Sequence, residues 1–182
     1  MRTLVLGGAR SGKSSHAESL LLLDQPVRYV ATARVDPADA ELAGRIRAHS
    51  ARRPPGWTTV TTADLPALLR SEPAPTLVDD LGTWLTAELD DAAAWTRPEG
   101  TITPRVAALV AAVRDHPEQL VLVSPEVGLS VVPVSAAGRL FRDELGTLNQ
   151  QLAAVCDRVL LVVAGLPQLL KGPPSEPPKG PS

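Results

Sequence analysis

Short apolar runs alternate along the chain with segments in which apolar residues recur every three or four positions. The runs predict strands at residues 3–6, 27–32, 57–61, 75–79, 119–124 and 158–164. The helical spacing predicts helices at 13–23, 37–52, 64–69, 104–115 and 136–155. Nearly continuous apolar strands are typical of parallel sheets that helices cover on both faces. The pattern therefore predicts a three-layer α/β fold with a mainly parallel central sheet.

Two segments interrupt this alternation. Residues 92–103 mix Trp, Pro and Gly and are predicted to form a loop. The C-terminal GPPSEPPKGPS is rich in proline and nearly free of apolar residues, so burial cannot offset its ordering entropy. With 182 residues and 44% apolar content, we expect one domain over residues 1–170 and a disordered Pro-rich tail over 171–182.

Charge and hydropathy narrow the class of partner. A formal net charge of -2, without a Lys/Arg-rich block, argues against nucleic acid or an anionic membrane as the main partner. No apolar run is long enough to span a membrane, and the N-terminus leaves no room for a signal peptide, so we expect a cytoplasmic protein.

The single cysteine, Cys156, lies in a helical pattern and is predicted to be a buried, inert thiol.

The segment GGARSGKS, placed between the first strand and the first helix, matches the phosphate-binding P-loop pattern. Its glycines allow backbone N–H groups to converge on an anion, and the helix N-terminus adds positive partial charge. We expect the lysine to reach the outer phosphates and the last serine to ligate Mg²⁺. The predicted phosphate-binding residues are Gly7, Gly8, Ala9, Arg10, Ser11, Gly12, Lys13 and Ser14.

Lysine usage supports a specific role for the P-loop lysine. Among the 18 basic residues only Lys13, Lys171 and Lys179 are lysines, and the last two lie at or beyond the end of the folded pattern. Up to residue 170 the chain uses arginine at all other basic positions and lysine at position 13 alone. This choice indicates a site that needs a compact ammonium, where a planar guanidinium would not fit.

Carboxylates at strand ends are candidates for the metal shell and for proton transfer. Asp79 ends an apolar strand as a Walker-B aspartate does, and we prefer it to Asp80 because neighbours in a strand face opposite ways. The alternative interpretation is that Asp79 only caps the next helix. Glu126 follows the strongest strand, and ligands of open α/β sheets bind beyond this edge.

His49 lies on the predicted helix 37–52 with Arg45 one turn before it and Arg52 and Arg53 one turn after it. Guanidinium groups disfavour the charged imidazolium, which keeps the ring nucleophilic, and they attract phosphate. The pattern alone favours an ordinary solvated side chain. His16 and His116 are interpreted as structural.

The sequence, with its P-loop and the spacing of His49, resembles the bifunctional adenosylcobinamide kinase and adenosylcobinamide-phosphate guanylyltransferase family of cobalamin biosynthesis. The resemblance runs in order to about Gly165. The matching positions are GGARSGKS, His16-Ala17-Glu18, Tyr29-Val30-Ala31-Thr32, Glu41-Leu42, Arg45-Ile46, His49, Arg53-Pro54, Trp57 with Thr59, Val78-Asp79, Trp84-Leu85, Glu126-Val127-Gly128, Val132-Pro133, Phe141-Arg142-Asp143, Gly146 and Asn149-Gln150.

The resemblance implies a RecA-like P-loop fold, a trimeric assembly and two reactions. In the first, ATP or GTP phosphorylates adenosylcobinamide. In the second, His49 takes GMP from GTP and passes it to adenosylcobinamide phosphate, giving adenosylcobinamide-GDP and pyrophosphate. The resemblance makes His49 and Lys13 the catalytic residues. It further implies nucleotide contacts at Ala33, Arg34, Val35, Ser50, Ala51, Arg52, Arg53 and Asp79. The P-loop and strand-end patterns described above make Ser14 and Asp79 the predicted Mg²⁺ ligands.

The chain departs from the family pattern at four positions: Thr61 replaces a carboxylate, Pro125 an asparagine, Ser130 a glycine, and Asp80 follows Asp79. These departures keep open the alternative of a monofunctional P-loop kinase for a small metabolite. A nucleotide-switched regulatory NTPase is a second alternative, although the guanine-reading Asn-Lys-x-Asp motif is absent.

Overall fold

The computed structural model describes residues 1–21, 25–33, 54–71 and 73–173. Seven strands and five helices lie in these ranges. The strands are β1 (Arg2–Gly7), β2 (Val27–Ala31), β3 (Trp57–Thr61), β4 (Thr76–Asp79), β5 (Leu120–Pro125), β6 (Arg158–Val163) and β7 (Leu166–Lys171). The helices are α1 (Lys13–Ser19), α2 (Leu65–Arg70), α3 (Leu81–Asp91), α4 (Thr103–Asp115) and α5 (Ala136–Val155).

All of these strands form one sheet in the order β3-β2-β4-β5-β1-β6-β7. The first six are parallel to their neighbours, and β7 returns antiparallel beside β6. In β1 the register pairs Gly7 with Pro125 on one side and Val162 on the other. The expected α/β class with a mainly parallel sheet is confirmed, and the carboxyl ends of β1, β4 and β5 share one edge of the sheet.

Successive residues of a strand point to opposite faces of the sheet, and they pack into two apolar layers, one on each face. On one face Val5, Val121 and Leu160 pack with Ala17 and Leu21 of the α1 region. On the other face a larger cluster joins the sheet to α2, α3, α4 and α5. Because both faces are covered, the strands carry the nearly continuous apolar runs from which the parallel sheet was predicted.

Most predicted elements agree with the structure. The strand at 57–61 and the helix at 136–155 have the predicted bounds, and residues 92–102 connect α3 to α4 without a helix or strand. Cys156 is buried as expected, and burial raises its thiol pKa to about 12. The predicted helix 37–52 and most of the predicted tail lie outside the described residues.

Two elements were missed. Helix α3 follows directly after Asp79-Asp80, and its apolar positions Leu81, Leu85 and Leu89 are four apart, a signal that the sequence did contain. Strand β7 includes Pro167 and is exposed along its whole length, so it lacks the apolar run of the central strands. Its last residue is Lys171, whose ammonium donates to the carbonyls of Ala153 and Ala154 at 2.8 and 3.0 Å.

An ion pair fastens the start of β1 to the turn before β6. The Arg2 guanidinium meets the Asp157 carboxylate at 2.7 Å, and the Arg2 backbone N–H donates to the same carboxylate at 2.7 Å. These bonds lower the pKa of Asp157 to about 2. Since its pKa is about 3.9 in an unfolded chain, the pair stabilises the fold above pH 4 and is lost as the pH falls through about 2.

We therefore expect Asp157→Asn to lower the melting temperature at pH 7 by roughly 1–4 °C, as a partly exposed pair should. The difference from the parent should shrink between about pH 4 and pH 2, where the parent also loses the charge. Circular dichroism melts at several pH values measure it, with Glu99→Gln as the exposed-carboxylate control. A difference that does not change with pH would contradict the assignment.

Candidate functional site

The P-loop connects β1 to α1 through backbone conformations that favour glycine. Gly12 has φ +90° and directly precedes α1. A Cβ at Gly7 would lie 2.7 Å from the Val162 carbonyl oxygen, so a side chain there would displace β6. Arg10 adopts a left-handed φ of 56°. The loop is thus an N–H-rich turn at a helix N-terminus, the local structure that binds phosphate.

Neighbouring loops hold the P-loop in place. The Gly165 N–H, in the turn between β6 and β7, donates to the Ser11 carbonyl at 2.8 Å. The Glu126 N–H, just after β5, donates to the Gly7 carbonyl at 3.1 Å. Gly12 and Gly165 also pack closely, since a Cβ on Gly12 would be 3.3 Å from the Gly165 Cα. The cradle is therefore preorganised by two other strand ends.

Lys13 is the first residue of α1. Its ammonium lies 3.5 Å from the Gly8 carbonyl oxygen across the mouth of the loop. This contact is long, so little is lost when the ammonium moves to a phosphate oxygen. The predicted role of Lys13 at the outer phosphates fits this position.

Asp79, at the end of β4, meets the helix that follows the P-loop. The Ser14 hydroxyl donates to one carboxylate oxygen of Asp79 at 3.3 Å, and the Tyr29 hydroxyl of β2 donates to the other at 2.8 Å. Burial raises the pKa of Asp79, while the two hydroxyls and the Lys13 charge act in the opposite direction. The pairing of Ser14 with Asp79 places two oxygen ligands of a hard cation side by side.

The adjacent Asp80 has a different role. Its carboxylate accepts from the Thr83 N–H and the Thr83 hydroxyl, both at 2.9 Å, and so caps the N-terminus of α3. The helix cap that the sequence left open for Asp79 thus belongs to Asp80. The preference for Asp79 at the P-loop agrees with this geometry.

A cavity of about 540 Å³ borders the P-loop on the side of β5 and β6. Its walls are formed by the P-loop residues Gly8 to Ser11, by the segment from Glu126 to Ser130 and by the end of β6. Glu126, the second carboxylate candidate, therefore faces a space that is continuous with the predicted phosphate site.

The remaining predicted site residues, which are nucleotide contacts and the catalytic His49, divide into two groups. Ala33 is described and shares a second cavity, of about 200 Å³, with Thr61, the residue that stands where the family has a carboxylate. The others lie outside the described residues: Arg34, Val35, His49, Ser50, Ala51, Arg52 and Arg53. Their roles stay predictions.

Tyr29 is the site residue that the sequence analysis missed. It is 4% exposed and its ring packs against Trp57, with centroids 6.5 Å apart. Its position in the matched Tyr-Val-Ala-Thr segment was visible, but nothing local shows that its hydroxyl reaches Asp79 on the neighbouring strand.

The two other histidines, which the sequence analysis interprets as structural, are both at least partly buried. His116 is buried, and its ring nitrogens lie 3.0 and 3.3 Å from the carbonyl oxygens of Leu69 and Ala74. His16 is half-buried in α1, and burial lowers its pKa. Neither lies on the walls of the two cavities described above.

The sheet, the glycine loop and the Ser14–Asp79 pair define a nucleotide-using enzyme of the P-loop NTPase fold. A solved ATPase from the type III secretion system of pathogenic bacteria matches 88% of this chain with a TM-score of 0.50 and 13% identity. The match covers 50% of the ATPase chain, and at this identity it shows the fold alone.

Sequence comparison shows the family. The model of the cobinamide kinase / cobinamide phosphate guanyltransferase family matches residues 3–170, and the chain belongs to that family of bifunctional enzymes of cobalamin biosynthesis. The bifunctional adenosylcobalamin biosynthesis protein CobP of Pseudomonas aeruginosa is 44% identical, over 96% of this chain and 99% of its own length. The CobU proteins of Escherichia coli and Salmonella typhimurium are each 39% identical, over 91% of this chain and 97% of their own length.

None of the helices in the part of the chain that the structure describes is long and apolar enough to cross a membrane.

We expect Tyr29→Phe to lower the free energy of unfolding by about 1–3 kcal/mol, because the partly buried Asp79 carboxylate loses a hydrogen-bond donor. Urea unfolding at pH 7 measures this loss. In the Asp79→Asn background the same substitution should cost clearly less, since the interaction with a charged acceptor is already gone. Equal costs in the two backgrounds would show that the Tyr29 hydroxyl does not act through the Asp79 carboxylate.

Proposed function

We propose that this chain phosphorylates adenosylcobinamide with ATP or GTP and then transfers GMP from GTP to adenosylcobinamide phosphate. The products are adenosylcobinamide-GDP and pyrophosphate. The observation that carries the proposal is the Ser14–Asp79 contact beside a complete P-loop, in a chain that belongs to the cobinamide kinase / cobinamide phosphate guanyltransferase family. The proposal assigns both reactions to one phosphate cradle.

In the first reaction the hydroxyl oxygen of adenosylcobinamide attacks the γ-phosphorus, and the nucleoside diphosphate leaves with the electron pair. Negative charge grows on the leaving oxygens as the bond breaks. We propose that amides of the loop and the Lys13 ammonium bind these oxygens. Because the P-loop is already anchored through Ser11 and Gly7, little reorganisation is needed at that moment.

Mg²⁺ fits the donor set that the structure provides. The Ser14 hydroxyl and the Asp79 carboxylate are hard oxygen donors within 3.3 Å of each other, and Tyr29 fixes the second carboxylate oxygen. We propose that these two residues hold the ion directly or through water. When bound, Mg²⁺ would neutralise charge on the phosphate oxygens.

In the second reaction we propose that His49 is the nucleophile. A ring nitrogen of His49 would form a bond with the α-phosphorus of GTP while the bond to pyrophosphate breaks. The phosphate of the acceptor then attacks the same phosphorus and releases the imidazole. Splitting the transfer gives two displacements and predicts ping-pong kinetics. Ala33, Arg34, Val35 and residues 50–53 are proposed to contact the nucleotide.

We further propose a homotrimer in the cytoplasm, as the resemblance implies. Sedimentation equilibrium of the full chain tests the assembly: a single species of three times the 19.1 kDa chain mass is expected. A monomer or a dimer would contradict this part of the proposal.

Incubation of the protein with GTP labelled at the α-phosphate should leave label on the chain. A phosphoramidate on histidine survives base and is lost in acid, which distinguishes it from an ester on serine. The variant His49→Ala should lose the label completely, and His16→Gln, the matched control, should keep it. Label that persists in His49→Ala would refute the nucleophile.

Mass spectrometry of the products separates bifunctional and monofunctional activity. The parent with adenosylcobinamide and GTP should form both the phosphate and the GDP derivative. His49→Ala should form only the phosphate. A parent that forms the phosphate alone is a monofunctional kinase, and a parent that only hydrolyses nucleotide favours a regulatory NTPase.

Lys13→Met should slow both reactions by roughly a hundredfold or more, because each reaction leaves charge on the same cradle. Lys13→Arg should retain less than a tenth of the parent rate in each reaction, since the planar guanidinium does not match a site shaped for an ammonium. Initial rates of phosphorylation and of guanylyl-enzyme formation measure both effects. A loss confined to one reaction would contradict a shared cradle.

A further inference from the structure

The cavity between the P-loop and β6 has no part in the roles assigned so far. It is about 540 Å³ in volume, and its wall on one side is the P-loop from Gly8 to Ser11. A group inside it is therefore next to the loop that holds the phosphates. That is the place from which a phosphate acceptor has to approach, because the reacting oxygen must come within contact distance of phosphorus.

The chemistry of the walls fits an amphipathic acceptor arm that carries a hydroxyl group. Val127, Leu129 and Val163 give apolar surface, and Leu129 and Val163 are 83% and 57% exposed without a ligand. Glu126 is the carboxylate of the lining, and Arg10, on the P-loop itself, is its cation. Such a surface offers contact to a bulky organic group and one anionic oxygen acceptor to a hydroxyl proton.

Glu126 is held rigidly at this position. Its N–H donates to the Gly7 carbonyl, and one carboxylate oxygen accepts from the Gly128 N–H at 2.6 Å. The strand end before it is fixed by Asn149, which donates to the Pro125 carbonyl at 3.1 Å and accepts from the buried Ser124 hydroxyl at 2.6 Å. Within the described residues no hydrogen bond engages the second Glu126 oxygen.

The other two carboxylates at this edge of the sheet, Asp79 and Asp80, already accept hydrogen bonds from other side chains. Asp79 uses both of its oxygens, one with Ser14 and one with Tyr29. Asp80 caps α3 through Thr83, and it does not line this cavity. Glu126 is the carboxylate of the three that combines an available oxygen with a position on the cavity wall.

We propose that this cavity receives the hydroxyl-bearing arm of the acceptor and that Glu126 is the general base of the phosphorylation step. This inference rests on the proposed function. The hydroxyl oxygen forms the new bond to the γ-phosphorus, the bond from that phosphorus to the bridging oxygen breaks, and the diphosphate leaves with the electron pair. The hydroxyl proton passes to Glu126, which releases it to water after the product departs.

The two reactions then differ in their need for Glu126. The acceptor of the second reaction is a phosphate monoester, whose second pKa is about 6, so near neutral pH it attacks without losing a proton. Formation of the guanylyl-enzyme joins GTP to His49 on the shared phosphate cradle and needs no acceptor molecule. A base in the acceptor cavity serves the first reaction and is dispensable for guanylyl transfer.

The test is Glu126→Gln in the full-length chain, with three separate rate measurements. Glutamine keeps the side-chain length and an oxygen that can accept from the Gly128 N–H, so the loop should keep its shape. We expect phosphorylation of adenosylcobinamide to fall by roughly a hundredfold in kcat, with the KM for nucleotide changed less than twofold. Guanylyl-enzyme formation and GMP transfer to preformed adenosylcobinamide phosphate should stay within twofold of the parent.

Two further variants complete the design. Glu118→Gln, an exposed glutamate just before β5 at the opposite edge of the sheet, is the matched control and should leave all three rates unchanged. Val163→Trp puts a larger side chain on the cavity wall and narrows the cavity, so it should raise the KM for adenosylcobinamide at least tenfold while guanylyl-enzyme formation keeps its rate.

The outcomes separate the alternatives. Parent-like phosphorylation by Glu126→Gln would overturn the general base, and an unchanged KM in Val163→Trp would overturn the acceptor cavity. Equal losses in all three rates of Glu126→Gln would make the residue a support of the P-loop and would also overturn the proposal. A parent chain that does not phosphorylate adenosylcobinamide would refute the proposed function itself, and this inference with it.

Discussion

The conformation of the P-loop backbone is the constraint on which the other features of the site depend. A phosphate cradle needs several N–H groups that point inward and are not used by the protein itself. The internal hydrogen bonds of this loop are long, at 3.3 Å from the Ser11 N–H to the Gly8 carbonyl and at 3.3 Å from the Lys13 N–H to the Ser11 hydroxyl, so other parts of the chain must also hold it. Here the β6–β7 turn binds Ser11 through Gly165, and the end of β5 binds Gly7 through Glu126. Gly7 itself can pack against β6 only because it lacks a side chain.

The strand order decides which side chains can serve this cradle. Because β5 lies between β1 and β4, the carboxylate of Asp79 reaches Ser14 from two strands away, and Tyr29 adds its hydroxyl from the strand beyond. Glu126 follows the adjacent strand β5 and lines the cavity beside the loop. The two carboxylates therefore have different neighbours, Ser14 and Tyr29 for Asp79 and the cavity for Glu126. The proposed metal-binding pair and the proposed proton acceptor can then act without competing for the same oxygens.

Apolar periodicity predicted strands and helices correctly where the burial of an element is uniform along its length. The central strands and α5 could be predicted because a strand covered on both faces must be apolar throughout, and because a long amphipathic helix repeats its apolar stripe. Strand β7 was missed because an exposed edge strand is not under that requirement. Helix α3 was missed because only Asp80 separates it from β4, so no polar loop marks where the strand ends and the helix begins.

Residue types at short, regular spacing identify the P-loop and favour Asp79, and matches along nearly the whole chain indicate the family, all without any tertiary contact. The division of hydrogen-bond partners among the three carboxylates becomes visible in the folded chain. Asp79 turns to Ser14 and Tyr29, Asp80 caps α3, and Glu126 faces the cavity beside the loop. Apart from the local Asp80 cap, these contacts are long-range: Tyr29 and Asp79 are 50 positions apart, Ser14 and Asp79 are 65 apart, and Gly7 and Glu126 are 119 apart. No local pattern encodes them, since they exist only once the parallel strands have brought their carboxyl ends to one edge.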